Sequence, residues 1–444
     1  MPDLPVSNLF TGTATHVMPG GEALVHTNSL IETRKTYLVR QAVPGDTLLL
    51  SAAHSRRGTL KASLEKIEIA SDKRVQAICS AADQCGGCAL QYLHTDQHSQ
   101  IKSEWVLHAF KSVISENTQW LPIQFDEMQP DKTQPTDIQT ESGQRRRLRW
   151  HVGRHACQQV TLGFRAYQSH DVIEVDVCRV ITSPLEALRQ SLQAYLTTCE
   201  TTLPESVYAV QLSDGIHVVL EYIKNAPPHT IASITLKGLP VQYWCRDKQG
   251  LKPLNKPVHQ LHDCLPTNEE DILVRIGPDD FVQGQMSGNR MMIQQILAWC
   301  KGSIHIVDLF SGVGNLSLPL AASGMRILGA EIHEASVRAS NANAKRLALQ
   351  ASYQQADLFG DFDVSNFVGA DVLIIDPPRK GAKKICTLMN HLLPHKVILV
   401  HCDVASAGRD AVEMQRQGYG LRALRALDLF PYSGHVESMS LWAR

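Results

Sequence analysis

The sequence has almost no net charge: Lys and Arg total 43 against 44 Asp and Glu, leaving −1. A field spread over the whole molecule is therefore excluded as the means of holding nucleic acid, and any basic surface must be local. Long apolar runs are absent too, and none approaches the roughly 18 residues of a membrane span. The opening stretch Met1-Pro2-Asp3-Leu4-Pro5 has neither the basic nor the apolar segment of a secretory leader. A cytoplasmic protein with no membrane partner is expected. No complete Gly-x-Gly-x-x-Gly turn occurs, which weighs against a dinucleotide. The 11 cysteines are not read as a disulfide framework, because an intracellular chain of this size uses such thiols for metal or catalysis. What is present is 444 residues, 43% of them apolar, enough for two or three domains.

Residues 8–69 alternate short apolar runs with turns such as Pro19-Gly20-Gly21 and Pro44-Gly45-Asp46. Strands this short and close suggest an OB-like barrel. Arg34, Lys35, Arg40, Arg56, Arg57, Lys61 and Lys66 give it basic spots suited to a nucleic-acid backbone. Next come Cys79 and Cys85-Gly86-Gly87-Cys88. The glycines let nearby thiolates face one centre, either zinc or an iron–sulfur cluster, and a distant fourth ligand is needed. Cys157 and Cys178 are the nearest candidates. Ile101, Trp105, Leu107, His108, Val113 and Ile114, at roughly helical spacing, predict a helix over 94–116. The polar stretch 122–143 reads as a connection or insertion, and Arg145 to Arg149 is the densest basic run, with alternate side chains suited to phosphates. Residues 160–276 mix strands with a helix over 184–198, as in an α+β domain.

From 303 the pattern becomes strand–helix alternation. Asp308-x-x-x-Gly312-x-Gly314 follows an apolar strand, so a ligand can approach the backbone there. The next strand ends at Glu331, placed to hold a ribose diol. The combination favours an adenosyl ligand such as S-adenosylmethionine. A further strand ends in Asp376-Pro377-Pro378-Arg379. Amino-methylating enzymes carry an aromatic in the fourth position, so Arg379 argues against amino-group chemistry. Val397-Ile398-Leu399-Val400 then runs into His401-Cys402, which puts a thiol at the carboxyl end of a buried strand, where open α/β sheets bind ligands. Glu437, near the chain's end, is a candidate base beside such a thiol.

Together these stretches resemble the RNA 5-methyluridine methyltransferase family, from about residue 10 to the end. The resemblance implies a Rossmann-like class I methyltransferase domain over 281–444, a TRAM-like OB barrel over 1–70, and an α+β central domain over 71–280 that carries a 4Fe-4S cluster. The predicted helix 94–116 is expected to pack on the catalytic domain. Cys79, Cys85 and Cys88 match the cluster motif, with Cys178 as fourth ligand. Gln283, Phe310, Asn315, Glu331, Asp357 and Asp376 match positions that contact S-adenosylmethionine. Cys402 matches the nucleophile and Glu437 the base. A barrel combined with a cluster is similar to the branch acting on 23S ribosomal RNA, so the expected partner is that RNA, free or in early assembly, and neither DNA nor a second copy. Two motifs depart from the pattern: the usual Ser-Cys-Asn-Pro is His401-Cys402-Asp403-Val404, and the usual Gln-x-Asn is Gln283-Gly284-Gln285.

The implied chemistry is covalent. Thiolate addition to C6 of uracil makes C5 nucleophilic, and a base later removes the C5 proton. A uridine in folded RNA must first be flipped out. Alternatives are a tRNA substrate, a catalytically inactive RNA-binding protein of the same fold, and zinc in place of the cluster.

Overall fold

The computed structural model describes residues 9–27, 35–56, 59–125, 143–154, 160–199, 202–224, 226, 234–254 and 259–444. Strands β1 (Leu9–Val17), β2 (Ala23–Thr27), β3 (Thr36–Val39), β4 (Thr47–Arg56) and β5 (Thr59–Ile69) close into a barrel in the order β1-β2-β3-β5-β4. Val25, Val39, Leu48 and Leu50 fill it, each from the inward face of an alternating strand. Its basic side chains are partly spent inside the protein. Arg40 donates to the carbonyls of Ala82, Asp83 and Cys85, and Lys61 pairs with Glu22 at 2.7 Å. Arg34 and Arg57, and the side chain of Arg56, lie outside the described residues.

Helix α1 runs Asp96–Phe110, shorter than the 94–116 expected, and β6 (Gln119–Phe125) takes in the start of the stretch read as a connection. The rest of that stretch, 126–142, lies outside the described residues. The buried face of α1 includes polar side chains. His98, Lys102, Trp105, Val106 and Phe110 point inward, whereas His108 is exposed. Lys102 tolerates burial because its ammonium donates to Asp428 at 2.6 Å and to the Phe430 carbonyl at 3.0 Å.

The middle of the chain is a mixed sheet. It contains β7 (Arg147–Arg154), β8 (Val160–Arg165), β9 (Val172–Ile173), β10 (Ser206–Gln211), β11 (Ile216–Glu221), β12 (Val241–Asp247) and β13 (Gly250–Pro253), in the order β13-β12-β11-β10-β7-β8-β9. Helix α2 (Ser183–Thr198) covers it through Leu185, Leu188, Leu192 and Leu196. The hairpin β14 (His262–Leu265) and β15 (Ile272–Arg275) follows.

The last part is an eight-stranded, doubly covered sheet. In chain order come α3 (Met286–Trp299), β16 (His305–Leu309), α4 (Ser317–Ala322), β17 (Arg326–Glu331), α5 (Glu334–Arg346), β18 (Ala351–Gln355), β19 (Val372–Ile375), α6 (Lys383–Thr387) and α7 (Met389–Leu392). Then follow β20 (Lys396–His401), α8 (Val404–Arg416), β21 (Gly420–Asp428) and β22 (Glu437–Ala443). The order is β18-β17-β16-β19-β20-β22-β21-β6. Strands β16 to β20 are parallel, and the central β19 and β20 carry the unbroken apolar runs Val372–Ile375 and Val397–Val400 that burial on both faces requires, whereas the edge strand β18 is polar and half-exposed. β22 enters antiparallel between β20 and β21, and β6, arriving from far upstream, pairs parallel with β21. Helices α1 and α8 lie together on one face, and α3, α4 and α5 on the other. The barrel docks on the β21–β22 loop, where Gly20 N–H donates to the Gly434 carbonyl at 2.9 Å. Among the described residues no helix is long and apolar enough to cross a membrane.

Candidate active site

The carboxyl ends of β16, β17, β19 and β20, together with the β21–β22 loop, surround a cleft of about 770 Å³, a size that suits a nucleoside-scale ligand. One half of it is built on the glycine turn. Phe310 holds φ +64 although it is not glycine, a strained state that collects at functional sites. Gly312 (φ +53) has nothing within 4 Å of a Cβ position, so its backbone is open to a ligand. Gly314 (φ +83) is needed for a different reason: a Cβ would lie 2.8 Å from the Tyr353 hydroxyl. At the end of β17, Glu331 accepts from the Gly312 and His333 N–H groups at 3.2 and 2.9 Å. Asp357 accepts from Phe359 N–H at 3.0 Å. The Phe310 and Phe359 rings lie 5.2 Å apart, and Ile332 is 46% exposed on the same wall. An apolar wall beside two fixed carboxylates fits an adenosine, whose base is flat and whose ribose offers two donors.

The other half follows from register. β20 lies between β19 and β22, with Leu399 opposite Ile375 and His401 opposite Ser438. The residues just beyond those pairs are Asp376, Cys402 and Glu437, and all three line the cleft. Burial pushes Glu437 up to about 8, with the Asp376 carboxylate adding to the rise and Arg379 opposing it. Burial alone takes Asp376 to about 7. The Cys402 thiol rises to about 12, first through burial and then through Glu437 and Asp376, again opposed by Arg379. At neutral pH Cys402 and most of Glu437 hold their protons, while Asp376 lies near its midpoint, so that its ionised fraction is a carboxylate able to take the thiol proton.

The tRNA (uracil-5-)-methyltransferase family matches residues 167–444, more than half of the chain and the whole of this cleft's catalytic side. The chain belongs to this family. Its relatives include a 23S rRNA (uracil(1939)-C(5))-methyltransferase RlmD of Shewanella piezotolerans, 29% identical over 92% of this chain and 91% of that protein. Another, of the same description, from Pseudomonas aeruginosa, is 30% identical over 99% and 95%. Among solved structures, a Pyrococcus abyssi tRNA (uracil-54, C5)-methyltransferase in complex with S-adenosyl-L-homocysteine superposes with a TM-score of 0.74 over 98% of this chain and 99% of that one. At 18% identity this shows the shared fold.

The departures from the family pattern have local explanations. Asp403 caps α8, its carboxylate accepting from Ser406 N–H at 2.8 Å, as an asparagine there would. Val404 then takes the first helical position, where proline is favoured but not required. Gln285 is 1% exposed, just ahead of α3, with its side-chain oxygen unpaired.

Gln283, Phe310, Glu331, Asp357, Asp376, Cys402 and Glu437 all reach the cleft, but Asn315 does not line it. Its amide is paired head to head with that of Asn289, both bonds 2.8 Å, and this pairing turns it away. The basic run divides. Arg145 and Arg147 face the cleft, and the Arg147 guanidinium stacks 4.1 Å over Phe281. Arg146 points the other way into a two-pronged pair with Asp263 at 2.7 and 2.9 Å, both side chains 2% exposed. The expectation that the whole run serves phosphates is corrected to that extent. Arg379, Phe430 and His435 also line the cleft, with roles the sequence did not signal. Only the nearness of Phe430 and His435 to Glu437 in the chain hinted at them. Burial, then Arg379, Lys102 and Arg145, lower His435 and keep its ring neutral.

Cys79, Cys85 and Cys178 pack around one small apolar cluster. Burial first, then the other thiols, raises Cys88 to about 12, and burial likewise raises Cys178 to about 11 and Cys85. Thiols that oppose one another's ionisation in this way would be relieved by a cationic group. Among the described residues, however, no three His, Cys, Asp or Glu form a group for a single metal ion. Cys157 lies outside the described residues. Gly86 and Gly87, between two of the cysteines, form part of the cleft wall.

Proposed function

We propose that this protein methylates C5 of a uridine in 23S ribosomal RNA, and that Cys402 and Glu437 carry the chemistry. The observation behind this reading is the convergence of Cys402, Glu437 and Asp376 on three adjacent strand ends beside Arg379. The ribosomal target is supported by the RlmD-named relatives, which span nearly the whole chain.

In this reading, S-adenosylmethionine, when bound, supplies the methyl group that C5 receives. Gln283, Phe310, Glu331, Asp357 and Asp376 would hold it, and Glu331 would take the ribose diol. Cys402 gives its proton to a neighbouring carboxylate, and its sulfur forms a bond to C6. The ring electrons then sit on C5 and the adjacent carbonyl, where Arg379 offers positive charge. Glu437 in its ionised form removes the C5 proton, and the C6–sulfur bond breaks, which restores the double bond and the thiolate. Phe281, Phe430 and His435 suit the faces of a flipped base. Arg145 and Arg147 suit the flanking phosphates.

The working division is a barrel at 1–70, a central domain at 71–280 and a catalytic domain at 281–444, with α1 and β6 contributed to the catalytic layer. Cys79, Cys85, Cys88 and Cys178 are assigned to a structural 4Fe-4S cluster. The protein acts as a monomer on free or early-assembly RNA.

The test uses purified full-length protein with labelled donor and transcripts of 23S and transfer RNA. Methylation is mapped by nucleoside mass. Cys402→Ala should bind RNA and form no adduct. Glu437→Gln should methylate once and stall, carrying RNA through denaturing electrophoresis. Methylation by Cys402→Ala, or normal turnover by Glu437→Gln, sinks the assignment. Exclusive labelling of transfer RNA overturns the substrate.

A further inference from the structure

The residue before Cys402 is a histidine where the family pattern has serine, and the structure shows what it does. His401 is the last residue of β20, 2% exposed and outside the cleft lining. Its Nε2 lies 3.0 Å from Asp410 Oδ2 on α8, and Asp410 is 1% exposed. The same carboxylate oxygen accepts the Ala382 N–H at 2.5 Å. Ala382 follows a tight turn in which Gly381 N–H donates to the Pro378 carbonyl at 2.8 Å. Gly381 sits at φ +79, and a Cβ there would meet Asp410 Oδ2 at 2.7 Å and Ser406 Cβ at 3.0 Å. Arg409, next to Asp410, holds the same turn from outside by donating to the Lys380 carbonyl at 3.3 Å. The turn therefore rests on α8 at two points, and it projects Arg379 into the cleft.

We infer that the His401–Asp410 pair is a positioning unit: it ties the Pro378–Gly381 turn, and with it the Arg379 guanidinium, to the strand that carries Cys402. His401 touches neither the cleft nor any reacting atom, so it acts through Arg379. Two observations make a packing role insufficient. His401 Nδ1 and Asp410 Oδ1 are buried without partners, a desolvation cost that an apolar pair would not incur. And one oxygen, Asp410 Oδ2, serves both the strand and the turn, so losing the histidine bond removes the link between the two that runs through this carboxylate and leaves the turn tied to α8 alone. Arg379 is the positive charge that opposes the rise of both Cys402 and Glu437. If it drifts, the thiol loses the cation that lines its cleft and favours its ionised form.

This inference rests on the reading of Cys402 as nucleophile, and one readout is independent of RNA. Alkylation of Cys402 by iodoacetamide, followed by site-resolved peptide mass in the full chain, measures thiol reactivity. Turnover on RNA gives kcat and KM. His401→Ala should slow Cys402 alkylation and kcat by roughly tenfold each, the effect of about one pKa unit, with KM for RNA within about twofold. His401→Gln places an amide nitrogen where Nε2 was and should restore both. In an Arg379→Ala background, His401→Ala should add almost nothing, because the two changes remove one effect. His401→Ser, too short to reach Asp410, gives the same reading if the alanine protein does not fold. Unchanged alkylation in His401→Ala and His401→Ser overturns the inference. So does an equal further loss in the Arg379→Ala background, or failure of His401→Gln to rescue. If the wild type methylates no RNA while the alkylation series holds, the proposed function fails and the positioning unit stands.

Discussion

Glu437→Gln should make Cys402 more reactive while abolishing turnover, and only above a particular pH. Burial raises Glu437 to about 8 in the cleft, and after burial its carboxylate contributes most to raising Cys402 to about 12. At about pH 6.5 the wild-type acid is protonated, and a glutamine is a close copy of it, so the thiol sees no difference. At about pH 9.5 the wild-type group is ionised, and the substitution then removes a like charge next to the sulfur. One near like charge is worth roughly one pKa unit or more, hence at least about a tenfold larger thiolate fraction at any pH below the thiol's own value. The ratio of Cys402 alkylation rates, variant over wild type, should rise from near one to about tenfold. Its midpoint should lie near 8, an apparent value that belongs to the Asp376–Glu437 pair rather than to either residue. Stopped-time alkylation with site-resolved peptide mass across about pH 6 to 10 measures it. A ratio already near tenfold at about pH 6 would show an ordinary, ionised glutamate. A flat ratio near one would mean that Glu437 and Cys402 do not face each other, and a ratio below one would reverse the electrostatics.

The same burial has a stability consequence. Glu437 is raised from 4.5 to about 8 on folding, so its stabilising share is present below its unfolded value and lost as pH rises through about 8. Glu437→Gln should therefore raise the thermal midpoint at about pH 9 and leave it unchanged near pH 4. Arg146→Ala, which strands Asp263 in the interior, should cost about 3–5 kcal/mol in chemical denaturation. Arg145→Ala with Arg147→Ala should instead spare most of the stability and flatten the salt dependence of RNA binding. Equal effects from the two experiments would return the run to a single role. Cys178→Ser should lose iron, read by metal analysis after anaerobic purification. Iron retained in that variant transfers the fourth ligand position to Cys157, and zinc in the parent protein replaces the cluster assignment.

The chemistry-bearing strand ends were legible because they are local. An apolar run, a glycine turn and an acid at the next strand's end can be read from neighbouring residues, and so can a thiol after Val397-Ile398-Leu399-Val400 or two glycines between Cys85 and Cys88. What depends on packing could not be read. Residues 119–125 belong to the catalytic sheet only because β21 offers them an edge. The inward face of α1 includes a lysine because Asp428 waits more than 300 residues away, at 2.6 Å. Five neighbouring positions looked like one basic surface, yet the buried Asp263 carboxylate draws Arg146 away just ahead of β7 and leaves Arg145 and Arg147 at the cleft. Asn315 was drawn aside by Asn289. The protonation of Asp376, Cys402 and Glu437 is decided by desolvation, a property of the assembled interior and not of any stretch of chain. Local order can name a thiol and an acid, but only the tertiary structure brings them into one low-dielectric cleft with an arginine on its wall.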